Sequence, residues 1–269
     1  MGTYFRLASV LCICLATAAA TTAASSVSVY HIRFSATVAG KAFQCGVPYA
    51  GVGSNGDTIS ADYFRFYVSN VRLVDSAGRE TPLALEQDGT WQQHDVAFLS
   101  FERTSSCANG SPQDREEIVG SAPDGRYVAL RFTLGVPQAL DHADATIAQS
   151  PLNLSDMFWS WQDGYKFLRL DARVRAQSGK TSAFVFHLGS TGCTMTSSAT
   201  HCRATNQAEI DIPHFDPSSS SVLVDVASLL HSTDLARSGG CMMAAGETCA
   251  PELAALGIGS GTQTVFRAR

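Results

Sequence analysis

YFRFYVSNVRL, residues 63–73, decides the fold class. Aromatic and β-branched residues crowd the stretch with no 3.6-residue period, which is the pattern of a strand and not of a helix. Downstream, Asp75–Gly78 reads as a turn, Thr81–Leu85 as a short strand and WQQHDVAFLSF (91–101) as another strand. Cys107–Ser121 reads as a loop. YVALRFTL (127–134) alternates, with Val128, Leu130 and Phe132 opposed to Tyr127, Ala129, Arg131 and Thr133. Gly135, Val136 and Pro137 end it, and residues 138–154 form an irregular connection. Upstream, VSVYHIRFSATV (27–38) is a strand whose buried side the pattern leaves open, and Cys45–Asp57 is a Gly-containing loop.

Towards the C-terminus, Ser182–Leu188 and Glu209–Ile212 read as strands. VLVDVASLL (222–230) starts as strand and ends as a helical turn, and Pro251–Leu256 makes a short helix. No repeat or low-complexity linker divides the chain. Short strands joined by Gly, Pro and Asn loops predict an all-β chain: a single β-sandwich-like domain with long irregular disulfide-bonded loops.

Arg6 precedes an uncharged run, LASVLCICLATAAA (7–20), followed by small residues. Residues 1–24 therefore read as a secretory signal peptide, with 25–269 as the exported domain. The run is too short for a comfortable membrane span. Beyond it lie Cys45, Cys107, Cys193, Cys202, Cys241 and Cys249. An even set in an exported chain reads as disulfides, and no C-x-x-C pair suggests a thiolate zinc site. Spacing favours Cys193 with Cys202 and Cys241 with Cys249, leaving Cys45 for Cys107. A net charge of -5 with scattered Lys and Arg excludes a nucleic-acid or anionic-lipid footprint. Charged residues are 16% and apolar ones 45%, enough for a filled core. Nothing in the chain suggests an obligate oligomer, so a monomer is expected.

SPLNLSDMFWSWQDGYKFLRLD (150–171) holds the densest aromatic cluster, with Trp159 and Trp161 two positions apart and so on one face of a strand. Such a cluster is either core or an exposed stacking platform. No Gly-rich phosphate loop, H-E-x-x-H or G-x-S-x-G is present, so the chain is not expected to be an enzyme. Among seven histidines, His142 stands in the loop leading to the aromatic cluster and His187 on an apolar strand, where a hydrogen-bonded core histidine is the plain alternative. His94 follows Trp91 by three residues. Met242 and Met243 follow Cys241 and read as packing, although thioethers are soft ligands.

Five strings in order carry a resemblance: YFRFYVSNVRLVD (63–75), WQQHDVAFLSFE (91–102), YVALRFTLGVPQALDHAD (127–144), the 150–171 segment and FHLGSTGC (186–193). They resemble the MbnP-like family of periplasmic copper-binding proteins, the four-cysteine members of a "metallo-mystery pair", from about Tyr30 to Phe266. The resemblance implies copper as cofactor, a periplasmic or secreted location, and a MauG-like dihaem partner of the cytochrome c peroxidase type that oxidises a tryptophan to kynurenine. An indole N–H is a donor only, whereas the opened ring leaves an aryl amine that coordinates. Carried onto this chain, the resemblance points to Trp159 as the modified residue, then Trp91 with His94, then Trp161. His142 and His187 fall in matching strings as ligands. Two positions depart from the family's usual pattern, Asp141 in place of Asn and Ser100 in place of Asp.

The expectation is therefore an exported copper-binding protein for copper handling or uptake. The competing expectation is a β-sandwich carbohydrate-binding module that stacks sugars on exposed Trp159, Trp161 and Tyr165.

Overall fold

The computed structural model describes residues 1–2, 26–102, 107, 114–196, 200–243 and 249–269, so the signal-peptide reading of residues 1–24 falls almost wholly outside the described residues. Two sheets face each other. In the smaller, six-stranded one the order is Phe266–Ala268, Ser221–Asp225, Val27–Val38, Glu117–Pro123 and Ala84–Leu85, with Lys41–Ala42 added on Val27–Val38. The larger, ten-stranded sheet runs Ala208–Pro213, Tyr127–Leu134, Asp57–Asp75, Leu168–Arg175, Thr181–Leu188 and Cys241–Met242. No helix among the described residues is long and apolar enough to cross a membrane.

Asp57–Asp75 is the spine of the larger sheet, pairing along its length with Tyr127–Leu134, Leu168–Arg175, Val96–Ser100, Tyr49–Val52 and Glu80–Pro82. Its alternation explains why the 63–73 pattern is rich in aromatics on both faces. Phe64 and Phe66 point into the sandwich, where Phe66 meets Phe34 and Phe266, and Phe132 meets the same two rings, at centroid distances of 5.5–6.4 Å. Tyr63, Arg65 and Tyr67 point the other way and are covered in their turn by a loop. Ile32 and Phe34 are the buried side of Val27–Val38, which leaves Val27, Val29 and His31 outward.

Four local expectations are corrected. WQQHDVAFLSF is not one strand but a hairpin, Gln92–Gln93 against Val96–Ser100, turning at His94 with φ of 52°. Polar side chains force the turn: the Asp88 carboxylate accepts from the N–H groups of Thr90, Trp91 and Gln92, and Gln87 bonds both backbone groups of His94. Thr81–Leu85 splits between the sheets, Glu80–Pro82 in one and Ala84–Leu85 in the other, with buried Leu83 at the crossing. Glu117–Pro123 and Tyr49–Val52 are strands within stretches expected to be loops. The segment after FHLG is also a hairpin, Thr191–Met195 with Thr200–Ala204. The strand-then-turn at 221–229 and the short helix Ala250–Ala255 agree with the sequence. All three disulfides pair as the spacing favours.

Candidate metal centre

The outer face of the larger sheet is covered by the connection from Gln138 to Phe167. Buried tyrosines pin it down: Tyr67 Oη donates to the Pro151 carbonyl at 2.8 Å and Tyr165 Oη to that of Leu152 at 2.5 Å. Burial first, then the charge of Asp141, pushes the Tyr165 phenol up to about 12, so both remain donors. The aromatic segment is itself a small hairpin, Phe158–Ser160 against Gly164–Tyr165. Gly164 turns it at φ +76°, and a Cβ there would stand 2.5 Å from Asp141 Oδ1. The Asp141 carboxylate accepts from Tyr165 N and Ser190 Oγ, which ties three segments together. Burial raises its pKa, against the hydrogen bonds it accepts.

Beneath this cover a row of polar side chains crosses the sheet in register: Arg65 opposite Arg169, Arg169 opposite His187, and His187 opposite Met242. Alternating charges hold the row. Arg65 pairs with buried Glu102 and with Asp156, Arg169 reaches Asp156 at 3.2 Å and Asp171 at 2.6 Å, and both guanidiniums lie over the Tyr63 ring. The chain of charges ends at His187, whose Nε2 is 2.6 Å from Asp171 Oδ1. Burial would raise the Asp171 pKa, but hydrogen bonds from His187 and Arg169 hold the carboxyl down at about 2. An ionised carboxylate only accepts, so Nε2 carries a proton, and in the neutral ring Nδ1 keeps the lone pair. That Nδ1 is buried without a hydrogen-bond partner among the described residues.

Trp159 faces the same histidine, with ring centroids 6.4 Å apart. Its Nε1 is also buried without a partner. The indole lies on Gly189, where an added Cβ would come within 2.4 Å of Cζ3, and the Lys166 ammonium stands 5.8 Å from its ring. Burial, then the neighbouring Arg169 charge, lowers the Lys166 pKa. His187 is thus a core histidine hydrogen-bonded at one nitrogen, while its other nitrogen and Trp159 Nε1 have no partner among the described residues.

His142 lies within the cover, at the end of the short helix Gln138–Asp141. Its Nδ1 is 3.1 Å from the Trp161 carbonyl, and its Nε2 stands 3.3 Å from Cys202 Sγ and 3.5 Å from Asp141 Oδ2. No contact among the described residues joins it to His187. Trp91 and His94 are not brought to this place either. Trp91 stacks on Phe98 at 6.2 Å, and only the ring row Phe98, Tyr67, Tyr165 leads from it to Phe158, while His94 stands at an exposed turn. The stacking platform is also not formed: Tyr165 is fully buried, Trp159 is packed, and of the three only Trp161 is exposed. Met242, which reads as packing beside Cys241 in the sequence, is also the cross-strand neighbour of His187. Its pairing with His187 joins residues far apart in the chain, so nothing in local spacing could reveal it.

The model of the MbnP family matches residues 27–243. The chain belongs to the MbnP family. Among solved structures it is similar to MbnP from Methylosinus trichosporium, at 30% sequence identity and a TM-score of 0.77, covering 89% of this chain and 91% of that one. No curated protein matches it. The MbnP match takes in the polar row, Trp159, His142 and the first two disulfides. A bare imidazole nitrogen beside a thioether-bearing residue suits a soft or borderline cation such as copper.

Proposed function

We propose that this MbnP-family chain is an exported copper-binding protein, serving copper handling or uptake, with its metal held at His187 and Trp159. Family membership supports the association with copper, and three disulfides support a compartment outside the cytoplasm. The single observation that carries the site is the pair of buried, unpartnered nitrogens, His187 Nδ1 and Trp159 Nε1, on rings 6.4 Å apart.

In this reading His187 Nδ1 is a copper ligand from the outset and Met242, beside it on the sheet, supplies a soft sulfur. The indole of Trp159 cannot ligate as it stands, because its N–H is a donor only; ring opening to kynurenine by a dihaem peroxidase-like partner, a gain of about 4 Da, provides an aryl amine. Asp171 and Arg169 orient the imidazole and fix its tautomer, and the 138–167 connection keeps water from the ring faces. The role is binding and not catalysis.

Competition titration with a chromogenic Cu(I) chelator tests the reading on wild type, H187A and W159F, before and after treatment with the dihaem partner and peroxide. Copper uptake lost in H187A, and a partner-dependent mass change lost in W159F, are the expected results. Wild-type copper affinity in H187A would overturn the assignment.

A further inference from the structure

The Cys193–Cys202 hairpin and His142 lie outside the site just described. Thr191–Met195 and Thr200–Ala204 form a separate two-stranded sheet in which Cys193 stands directly opposite Cys202. Both cysteines are half-buried, whereas Cys45, Cys107, Cys241 and Cys249 are at most 7% exposed. This is therefore the disulfide most open to thiol exchange. The His142 imidazole is 8% exposed on its side chain and is aimed at the sulfur pair. Its Nδ1 faces the Trp161 carbonyl at 3.1 Å, and Nε2, 3.3 Å from Cys202 Sγ and 3.5 Å from Asp141 Oδ2, is the nitrogen a metal would meet in the neutral Nδ1–H tautomer. The ligand atoms of His142, Cys193 and Cys202 all lie within 4.8 Å of one another, the two sulfurs being joined in the disulfide.

We propose that these residues are a second, redox-gated site for Cu(I), closed while the disulfide stands and formed when a dithiol reductant opens it. A disulfide sulfur is a poor ligand, and the thiolate is the form that binds metal. In the gating step the Cys193–Cys202 bond takes up two electrons and two protons. The dithiol that supplies them becomes a disulfide. Binding of Cu(I) then displaces the two thiol protons to solvent. The backbone pairing of the hairpin keeps the sulfurs opposite each other after the bond is cut, so the site does not have to be assembled from a disordered loop.

Two thiolates and an imidazole make a soft, three-ligand set that suits Cu(I) better than a hard cation. Met195, 49% exposed, lies two residues from Cys193 on the same face of its strand and adds a thioether at the rim. The inference does not depend on the His187–Trp159 reading, since the residues are different. It gives the protein a copper-loading state that responds to the thiol balance of its compartment.

The test uses the full exported chain, oxidised or mildly reduced with dithiothreitol that is then removed anaerobically. Cu(I) is supplied from a chromogenic chelator, with alkylation and peptide mapping to show which cysteines opened. The reduced protein should take up an additional copper ion, with sulfur in its coordination shell by X-ray absorption, and only Cys193 and Cys202 should be labelled. C193S/C202S should lose that ion under the same treatment. H187A should keep it, which separates this site from the other. H142A, which leaves both thiols in place, should hold the ion about tenfold more weakly or worse. Equal copper in oxidised and reduced wild type, retention of the extra ion in C193S/C202S, a shell of nitrogen and oxygen alone, or preferential uptake of Zn(II) would each overturn the proposal.

Discussion

At His187 one hydrogen bond decides what the ring can do. Asp171 accepts the Nε2 proton at 2.6 Å, leaving a buried Nδ1 with its lone pair and no partner. Asp171 is itself held by Arg169, and Arg169 by Asp156, so the tautomer rests on a charge chain and not on a single contact. Removing the carboxylate frees the imidazole to rotate or change tautomer. D171A should keep the fold but bind Cu(I) about ten- to a hundred-fold more weakly, as for other outer-shell partners of metal-bound histidines; chelator competition measures it. His142 is held at both nitrogens, Nδ1 at the Trp161 carbonyl and Nε2 beside Cys202 Sγ and Asp141 Oδ2. The residue types of both histidines could be picked out from the chain, but which nitrogen each exposes could not. That depends on acceptors 16 and 19 positions away in sequence.

Two small elements position these rings. The Trp159 indole occupies the space that a side chain at Gly189 would need, 2.4 Å from an added Cβ, and the Tyr165 carbonyl is 2.7 Å from the same point. Because the second neighbour is backbone, relaxation cannot be local. G189A should displace the indole, cost about 1–3 kcal/mol in urea unfolding, and change the near-ultraviolet circular dichroism of tryptophan.

The Trp91 hairpin depends instead on Asp88, whose carboxylate serves three backbone N–H groups. Burial would raise its pKa, but these bonds and Arg115 lower it overall. A folded-state pKa below the unfolded one gives stability that is present above the ordinary carboxylate range and is lost as pH falls through it and below. D88A should therefore be less stable than wild type by about 1–3 kcal/mol at neutral pH, and the gap should shrink in acid; unfolding curves against pH would show it. The hairpin was illegible in the sequence because WQQHDVAFLSF has strand composition throughout, and its turn is imposed by Asp88 and Gln87 from outside it. Tyr127–Leu134, by contrast, carries its whole signal in its own alternation, and its bounds agree residue for residue.

Across the whole molecule, the sandwich was readable because strands such as Tyr127–Leu134 declare themselves by alternation, while the candidate metal centre was readable only in part. Trp159 and His187 stand in separate strings that become neighbours when Leu168–Arg175 pairs with Thr181–Leu188 and the aromatic hairpin folds over both. Met242 arrives by parallel pairing from the far end of the chain. The disulfides contribute unequally to holding this arrangement. Cys45 and Cys107 close a loop with a sequence separation of 62, against 9 for Cys193 and Cys202. In the chain-entropy model the first stabilises by about 4 kcal/mol and the second by about 2–3. C45S/C107S should lose more in urea unfolding than C193S/C202S, and equal losses would contradict that ranking.

Copper held at His187 and a modified Trp159 leaves two signatures that one sample can report. Intact mass and peptide mapping of the exported protein from its native periplasm, with copper assayed on the same sample, test for both most directly. Bound copper and a gain of about 4 Da confined to the peptide holding Trp159, the change that turns a donor-only indole into a ligand, are the expected results. Copper-free protein with every tryptophan intact would contradict the assignment, as would modification at Trp91 in place of Trp159.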